Sequence, residues 1–211
     1  MGDRFDTGRM DAFSDGVFAI AITLLVLEIS VPEEEFTNLW HGIADQWPSY
    51  QAYVTSFLTI GMVWFVHHGI FRRMAFADAR VARANLLLLM VVSFLPFPTG
   101  LAAEAIRDPD AERAAVLFYG ATLFVASGLI TALGRYVASQ PELLHRPAVQ
   151  SELDAVTART APNLVVYAAA LIVTLVAPHV AAFGFLAAAV LGLLRIKGDT
   201  SPPDERPATR S

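Results

Sequence analysis

The chain contains no cysteine, and only one of its fifteen basic residues, Lys197, is a lysine. Without cysteine there are no disulfides, no thiol nucleophiles and no thiolate metal sites. Charged residues make up only 17% of the chain, and no polar stretch is long enough to build a soluble domain. There is no Walker sequence and no glycine-rich dinucleotide fingerprint, so no enzyme activity and no cofactor are expected. The formal charge of −5 gives no basic footprint for nucleic acid. No cleavable leader is expected. Asp3, Asp6, Asp11 and Asp15 accompany Arg4 and Arg9, and no small-residue cleavage site follows the first apolar run, so that run is expected to be retained.

Apolar sequence is what the chain has in excess. It is 55% hydrophobic with a mean hydropathy of +0.50, which points to an integral membrane protein of all-α class. About 20 apolar residues cross a bilayer core, and uncharged stretches locate such spans at about 10–30, 49–74, 83–104 and 113–137. Residues 160–194 form a 35-residue stretch free of Asp, Glu, Lys and Arg, too long for one helix. Pro178 within Ala177-Pro178-His179-Val180 divides it into spans at about 162–177 and 179–195, with Pro162 in the first turn of the former. The expected total is six spans in one membrane domain, residues 1–198, followed by a polar, proline-rich and disordered tail at 199–211. The motif Phe94-Leu95-Pro96-Phe97-Pro98 is expected to kink or end the third span.

Charge asymmetry supports that count. Six spans with an inside amino terminus leave only Arg107 and Arg113 outside, and thirteen basic residues inside. Both termini are therefore expected to be cytoplasmic, in a multi-pass protein of the plasma or inner membrane.

The first span is the unusual one. Between Asp15 and Glu28 its apolar run is only twelve residues, a length more typical of a helix buried in protein than of one bathed in lipid. At 100° per residue, Phe13, Gly16, Ile20, Leu24 and Leu27 share one face with Thr23 at its edge, and Asp15 points almost oppositely. Asp15 then needs polar partners on neighbouring helices. His67 and His68 near the end of the second span, and Asn85 at the start of the third, lie at matching depth. Together with Ser14 they would make a polar layer that locks the rotation of the first span. Adjacent histidines on a helix diverge by 100°, so no metal is expected between His67 and His68.

Arg9, Phe13-Ser14-Asp15 and the run to Leu27 resemble the signature of the transmembrane protein 175 family of potassium channels. Residues 85–100 and the Trp64–His68 neighbourhood resemble that family's third and second helices. The resemblance covers most of residues 9–100. It implies a six-helix subunit that assembles as a homotetramer, with the first helices lining a cation pore. Taken with the depth argument, Arg9, Phe13, Ser14, Asp15, His67, His68 and Asn85 are the expected helix-locking network. The family lacks the carbonyl filter of ordinary potassium channels, and this chain has no Thr-Val-Gly-Tyr-Gly segment.

On that reading Ile20, Leu24 and Leu27 form stacked apolar rings that block ions by dewetting. The Thr23 oxygens beside them replace part of the lost hydration, giving a modest preference for potassium over sodium. Glu28 and Glu33 would attract cations at the outer mouth. The competing readings are a proton-coupled ion transporter using Asp15 and a second-span histidine, a metal-dependent intramembrane enzyme, and a purely structural membrane protein.

Overall fold

The computed structural model describes residues 4–30, 33–105, 108–146 and 150–194. Eight α-helices account for most of them: α1 (Thr7–Leu24), α2 (Leu39–Asp45), α3 (Trp47–Phe71), α4 (Ala79–Phe94), α5 (Pro96–Ala105), α6 (Pro109–Ala138), α7 (Gln150–Thr174) and α8 (Pro178–Leu194). Four segments are long and apolar enough to cross a membrane: Thr7–Glu28, Trp47–Phe71, Ala79–Ala105 and Ala111–Ala138. The apolar parts of α7 and α8, Pro162–Thr174 and Pro178–Leu194, are shorter. At about 1.5 Å per residue they reach roughly 20 and 26 Å. The tail at 199–211 lies outside the described residues.

The sequence boundaries shift in three places. First, α-helical geometry stops at Leu24 and Leu25–Glu28 continue as a tighter 3-10 turn, so the 100° projection holds only to Leu24 and turns by about 120° per residue beyond it. Second, the third span is interrupted at Leu95, as the Phe94–Pro98 motif led one to expect, and does not run as one regular helix. The Leu95 N–H bonds to Val92 O at 3.2 Å in 3-10 fashion, and α5 restarts at Pro96, which has no N–H to continue the ladder. Third, α7 starts at Gln150, twelve residues before the expected boundary, so Pro162 is inside the helix. The hydropathy boundary at 162 marks where the helix becomes apolar rather than where it begins.

Local chemistry accounts for the helix starts. Asp6 Oδ1 accepts from the Arg9 N–H at 3.0 Å and caps α1. Asp78 Oδ1 accepts from the Arg80 and Val81 N–H groups at 3.0 and 2.8 Å and caps α4. Such caps satisfy backbone donors that the helix leaves free. Pro48 occupies the first turn of α3, where its missing N–H costs nothing.

The buried core runs through the middle of α3, with Ile60, Val63, Val66 and Ile70 meeting Phe18 and Leu25 near α1, Leu88 and Val92 of α4, and Leu123 and Ile130 of α6. Tyr167 of α7 and Phe185 of α8 close the opposite side. Hydroxyls tie the helices inside this apolar mass: Ser56 Oγ bonds Thr99 at 2.8 Å and Tyr119 at 2.9 Å, and Thr59 bonds Tyr167 at 3.2 Å. In lipid such bonds contribute directly to helix association, because apolar contact alone is no better than contact with acyl chains.

At the amino-terminal end of α1 the connecting segments are laced together. Phe5 exchanges backbone hydrogen bonds with Ala77, the Ala75 N–H donates to Leu143 O, and Arg4 lies 4.3 Å over the Phe76 ring. Tyr136 of α6 donates to Asp78 Oδ2. Partial burial opposes ionisation of Asp78, but the bonds from Tyr136, Val81 and Arg80 and the Arg80 charge outweigh it and hold this carboxyl below its ordinary 3.8. A lowered folded-state value means a contribution that is complete above the ordinary value and is lost as the pH falls through the lower one. Melting of the purified chain between pH 5 and pH 2 should therefore show an acid-dependent loss that Asp78→Asn abolishes. An identical acid profile in the variant would remove Asp78 from that role.

Candidate functional site

Helix α1 differs from the other spans in how little of it the subunit covers. Only 22% of its apolar window is buried, against 56% for each of the other three long spans. The buried positions are Ser14, Phe18, Ala21 and Leu25. They recur at three- and four-residue spacing and face α3 and α4. On the other side Phe13, Gly16, Ile20, Thr23, Leu24 and Leu27 are all exposed, Ile20 at 61% and Leu27 at 71%. The Thr23 hydroxyl donates back to Ala19 O at 3.0 Å and Ile20 O at 2.9 Å. With its proton held by the helix, its oxygen lone pairs are left for a cation or water.

The inner face of α1 carries the polar cluster, in which Ser14, Asn85 and His67 form a single hydrogen-bonded chain. Ser14 Oγ donates to Met10 O at 2.8 Å and accepts from Asn85 Nδ2 at 3.0 Å, and Asn85 Oδ1 lies 2.8 Å from His67 Nε2. All three residues are buried. The order of donors sets the histidine tautomer. Because the serine proton is taken by Met10, the Asn85 amide must donate to Ser14 and turn its oxygen to His67, so Nε2 carries the hydrogen. The imidazole is stacked on Phe71 at 4.2 Å and met edge-on by Phe18 at 5.4 Å.

Asp15 is not bonded to either histidine. Its Oδ1 accepts from the Trp64 indole N–H at 2.7 Å. The histidines approach Asp11 instead, His68 Nδ1 lying 3.2 Å from Oδ2 and His67 Nδ1 3.6 Å from Oδ1. Asp11 and Trp64 are therefore functional candidates to which sequence reasoning assigned no role. The available signal was the i, i+4 spacing of Asp11 and Asp15, which puts both carboxylates on one face. Arg9 and Phe13 are exposed on the subunit and stand apart from this chain of bonds.

At the other end, the half-buried Glu28 folds its carboxylate against Gly100 of α5, where any Cβ would occupy the same space. A larger residue at position 100 would have to push that carboxylate aside, which the flexible Glu28 side chain allows. Glu33 opens a 3-10 turn, Glu33–Asn38, and its side chain lies outside the described residues.

Comparison with known proteins places the chain. The family model described as the endosomal/lysosomal potassium channel TMEM175 matches residues 9–96, which include all but the first two residues of α1, the whole of α3 and α4, and the polar cluster. A potassium channel of Chamaesiphon minutus is 44% identical over 174 residues, covering 80% of this chain and 85% of its own length. The chain belongs to the TMEM175 family. Its structure is similar to the crystal structure of a lysosomal potassium-selective TMEM175 homologue from Chamaesiphon minutus, with a TM-score of 0.80 at 36% identity over 90% of this chain and 97% of that one. That match extends the TMEM175 fold into α6–α8, beyond the reach of the family model. The endosomal/lysosomal proton channel TMEM175 of Danio rerio is 37% identical over 139 residues, 59% of this chain but 27% of its own length. This TMEM175 chain is thus a membrane protein of an ion-channel family.

Proposed function

We propose that the chain is a passive, potassium-permeable cation channel with a modest preference for potassium over sodium, assembled as a homotetramer around four copies of α1. The observation that carries this reading is the apolar face of Ile20, Leu24 and Leu27, left open by its own subunit, on a helix whose opposite side is held by buried polar bonds. A helix that packs only on one side, and is locked in rotation there, is suited to present the other side to its own copies. Each subunit would cross the plasma or inner membrane six times, with α7 and α8 as the two short spans and both termini cytoplasmic.

In that assembly Ile20, Leu24 and Leu27 form a hydrophobic constriction that excludes water until the rings widen. The free lone pairs of Thr23 compensate part of the dehydration. Sodium holds its water more tightly than potassium and is penalised more. Ser14, Asp15, His67, His68 and Asn85 act as the framework that sets the bearing of α1, and Arg9 and Phe13, exposed on the subunit, are left to its contacts with other copies. Glu28 and Glu33 raise the cation concentration at the outer mouth. Potassium is the permeant species and no cofactor takes part. Proton-coupled transport through Asp15 and a histidine has less support, since the partner of Asp15 is Trp64.

The test is the reversal potential of the purified protein in a planar bilayer, with potassium on one side, sodium on the other and equal pH. A potential displaced toward the potassium equilibrium value is expected. Thr23→Ala should move it toward zero, and unchanged selectivity in that variant would take Thr23 out of the filter. A reversal potential that follows an imposed proton gradient would replace potassium with protons as the main permeant ion.

A further inference from the structure

The cluster at the amino-terminal end of α1 contains an electrostatic conflict that the hydrogen-bonded chain itself creates. Met10 O takes the Ser14 proton, Ser14 takes the Asn85 amide, and Asn85 Oδ1 takes the His67 Nε2 hydrogen. His67 Nδ1 is left with a bare lone pair, 3.6 Å from the carboxylate Oδ1 of Asp11 and wholly buried. Two acceptors thus face each other in an apolar setting, which is unfavourable unless a cation lies between or beside them. Asp11 Oδ1, His67 Nδ1 and His68 Nδ1 are all buried without a hydrogen-bond partner.

Ligand atoms of Asp11, Asp15 and His68 lie within 4.8 Å of one another. Asp11 Oδ2 and His68 Nδ1, at 3.2 Å, already match the ligand–ligand edge of a tetrahedral zinc site, roughly 3.3 Å for bonds of about 2.0–2.1 Å. The orienting contacts characteristic of metal ligands are also in place. Trp64 holds one oxygen of Asp15 at 2.7 Å and leaves the other free. His68 is stacked on the Trp64 ring at 5.8 Å. Groups that fix ligand orientation from behind in this way are a regular part of metal sites. The divergence of adjacent helical histidines is no obstacle, because two of the ligands come from α1.

We propose that Asp11, Asp15 and His68 bind a divalent transition-metal cation, with zinc as the best match, and that the bound ion staples the amino-terminal end of α1 to α3. An imidazole with two carboxylates suits zinc or cobalt and not magnesium or calcium, which take oxygen ligands alone. The site is separate from the exposed apolar stripe, since Asp15 and Ile20 differ in bearing by about 140°. It goes beyond the channel reading, and binding is measured without any current.

The experiment is calorimetric titration of the untagged full chain in detergent with zinc chloride at pH 7.5. Saturable binding of one zinc per chain is expected, weakened at least tenfold by His68→Gln and by Asp11→Asn. Excess magnesium should not compete. Among the described residues there are two other histidine–carboxylate pairs, His41–Asp45 at 2.7 Å and His179–Glu112 at 2.8 Å, so His41→Gln and His179→Gln should leave the affinity unchanged. Should the Asp11 or His68 variants not fold, the unmodified chain suffices. Zinc-soaked crystals should give an anomalous peak between Asp11, Asp15 and His68. No saturable binding, wild-type affinity in a folded His68→Gln, or a peak only at His41 or His179 would overturn the proposal.

Discussion

Asn85→Ala is expected to destabilise the subunit by about 2–4 kcal/mol, the largest single effect among the polar residues. The side chain is 2% exposed and spans two helices, donating to Ser14 of α1 and accepting from His67 of α3. Truncation leaves the His67 N–H without a partner in an apolar interior and removes a donor from Ser14. An orphaned buried group costs about 1–3 kcal/mol, and lost contacts around the amide add to it. Reversible unfolding of the purified chain in mixed micelles measures the loss. A double-mutant cycle with Ser14→Ala should give a coupling of about 0.5–3 kcal/mol, since the two residues share one chain of bonds. Strict additivity would show that they act independently. The paired change His67→Phe with Asn85→Leu removes donor and acceptor together and should recover much of the loss. The same variants test the lock, because a freed α1 would no longer hold Ile20 and Thr23 at one bearing.

Phe18→Ala is expected to cost about 2–3 kcal/mol by a different mechanism. Phe18 is 2% exposed on the packed face of α1 and meets the His67 ring edge-on at 5.4 Å. In water, truncating a buried phenylalanine costs both a transfer term and a cavity term, about 3–5 kcal/mol together. An unpacked helix in a bilayer still has its phenylalanine in hydrocarbon, so most of the transfer term disappears and the cavity remains. About 100 Å³ of unfilled volume at roughly 24 cal/mol per Å³ accounts for that figure. Ile20→Ala is the matched control: 61% exposed in the subunit, it should change the unfolding free energy of the subunit by less than about 0.5 kcal/mol. Equal losses at the two positions would mean that α1 is not held by one face alone.

How far the site was legible differs from residue to residue. Ser14, His67 and Asn85 were identifiable because each is a polar residue in an apolar run, and charge asymmetry placed them at one depth. Asp15 was identifiable as a buried acid, but its partner was not. Whether it meets a histidine or Trp64 depends on the rotation of α1 against α3 by a fraction of a turn, and that rotation is set by Phe18, Ala21 and Leu25 finding space between α3 and α4. Asp11 was passed over because, next to Arg9 at the mouth of a helix, it looks like any solvated terminus. Only the approach of two imidazoles from α3 gives it a role.

The sequence by itself determined that the chain is an all-helical membrane protein, that its first span carries a polar inner end and an apolar stripe, and which polar residues share a depth. These follow from local composition and from helical periodicity, which act over a few turns. The break at Leu95 follows the Pro96 and Pro98 that the sequence places there, whereas the tertiary structure alone decided the 3-10 turn at Leu25–Glu28, the long entry into α7 at Gln150 and the pairing of Asp15 with Trp64. Each of these is settled by contacts between residues far apart in the chain, where small changes in helix rotation exchange one hydrogen-bond partner for another.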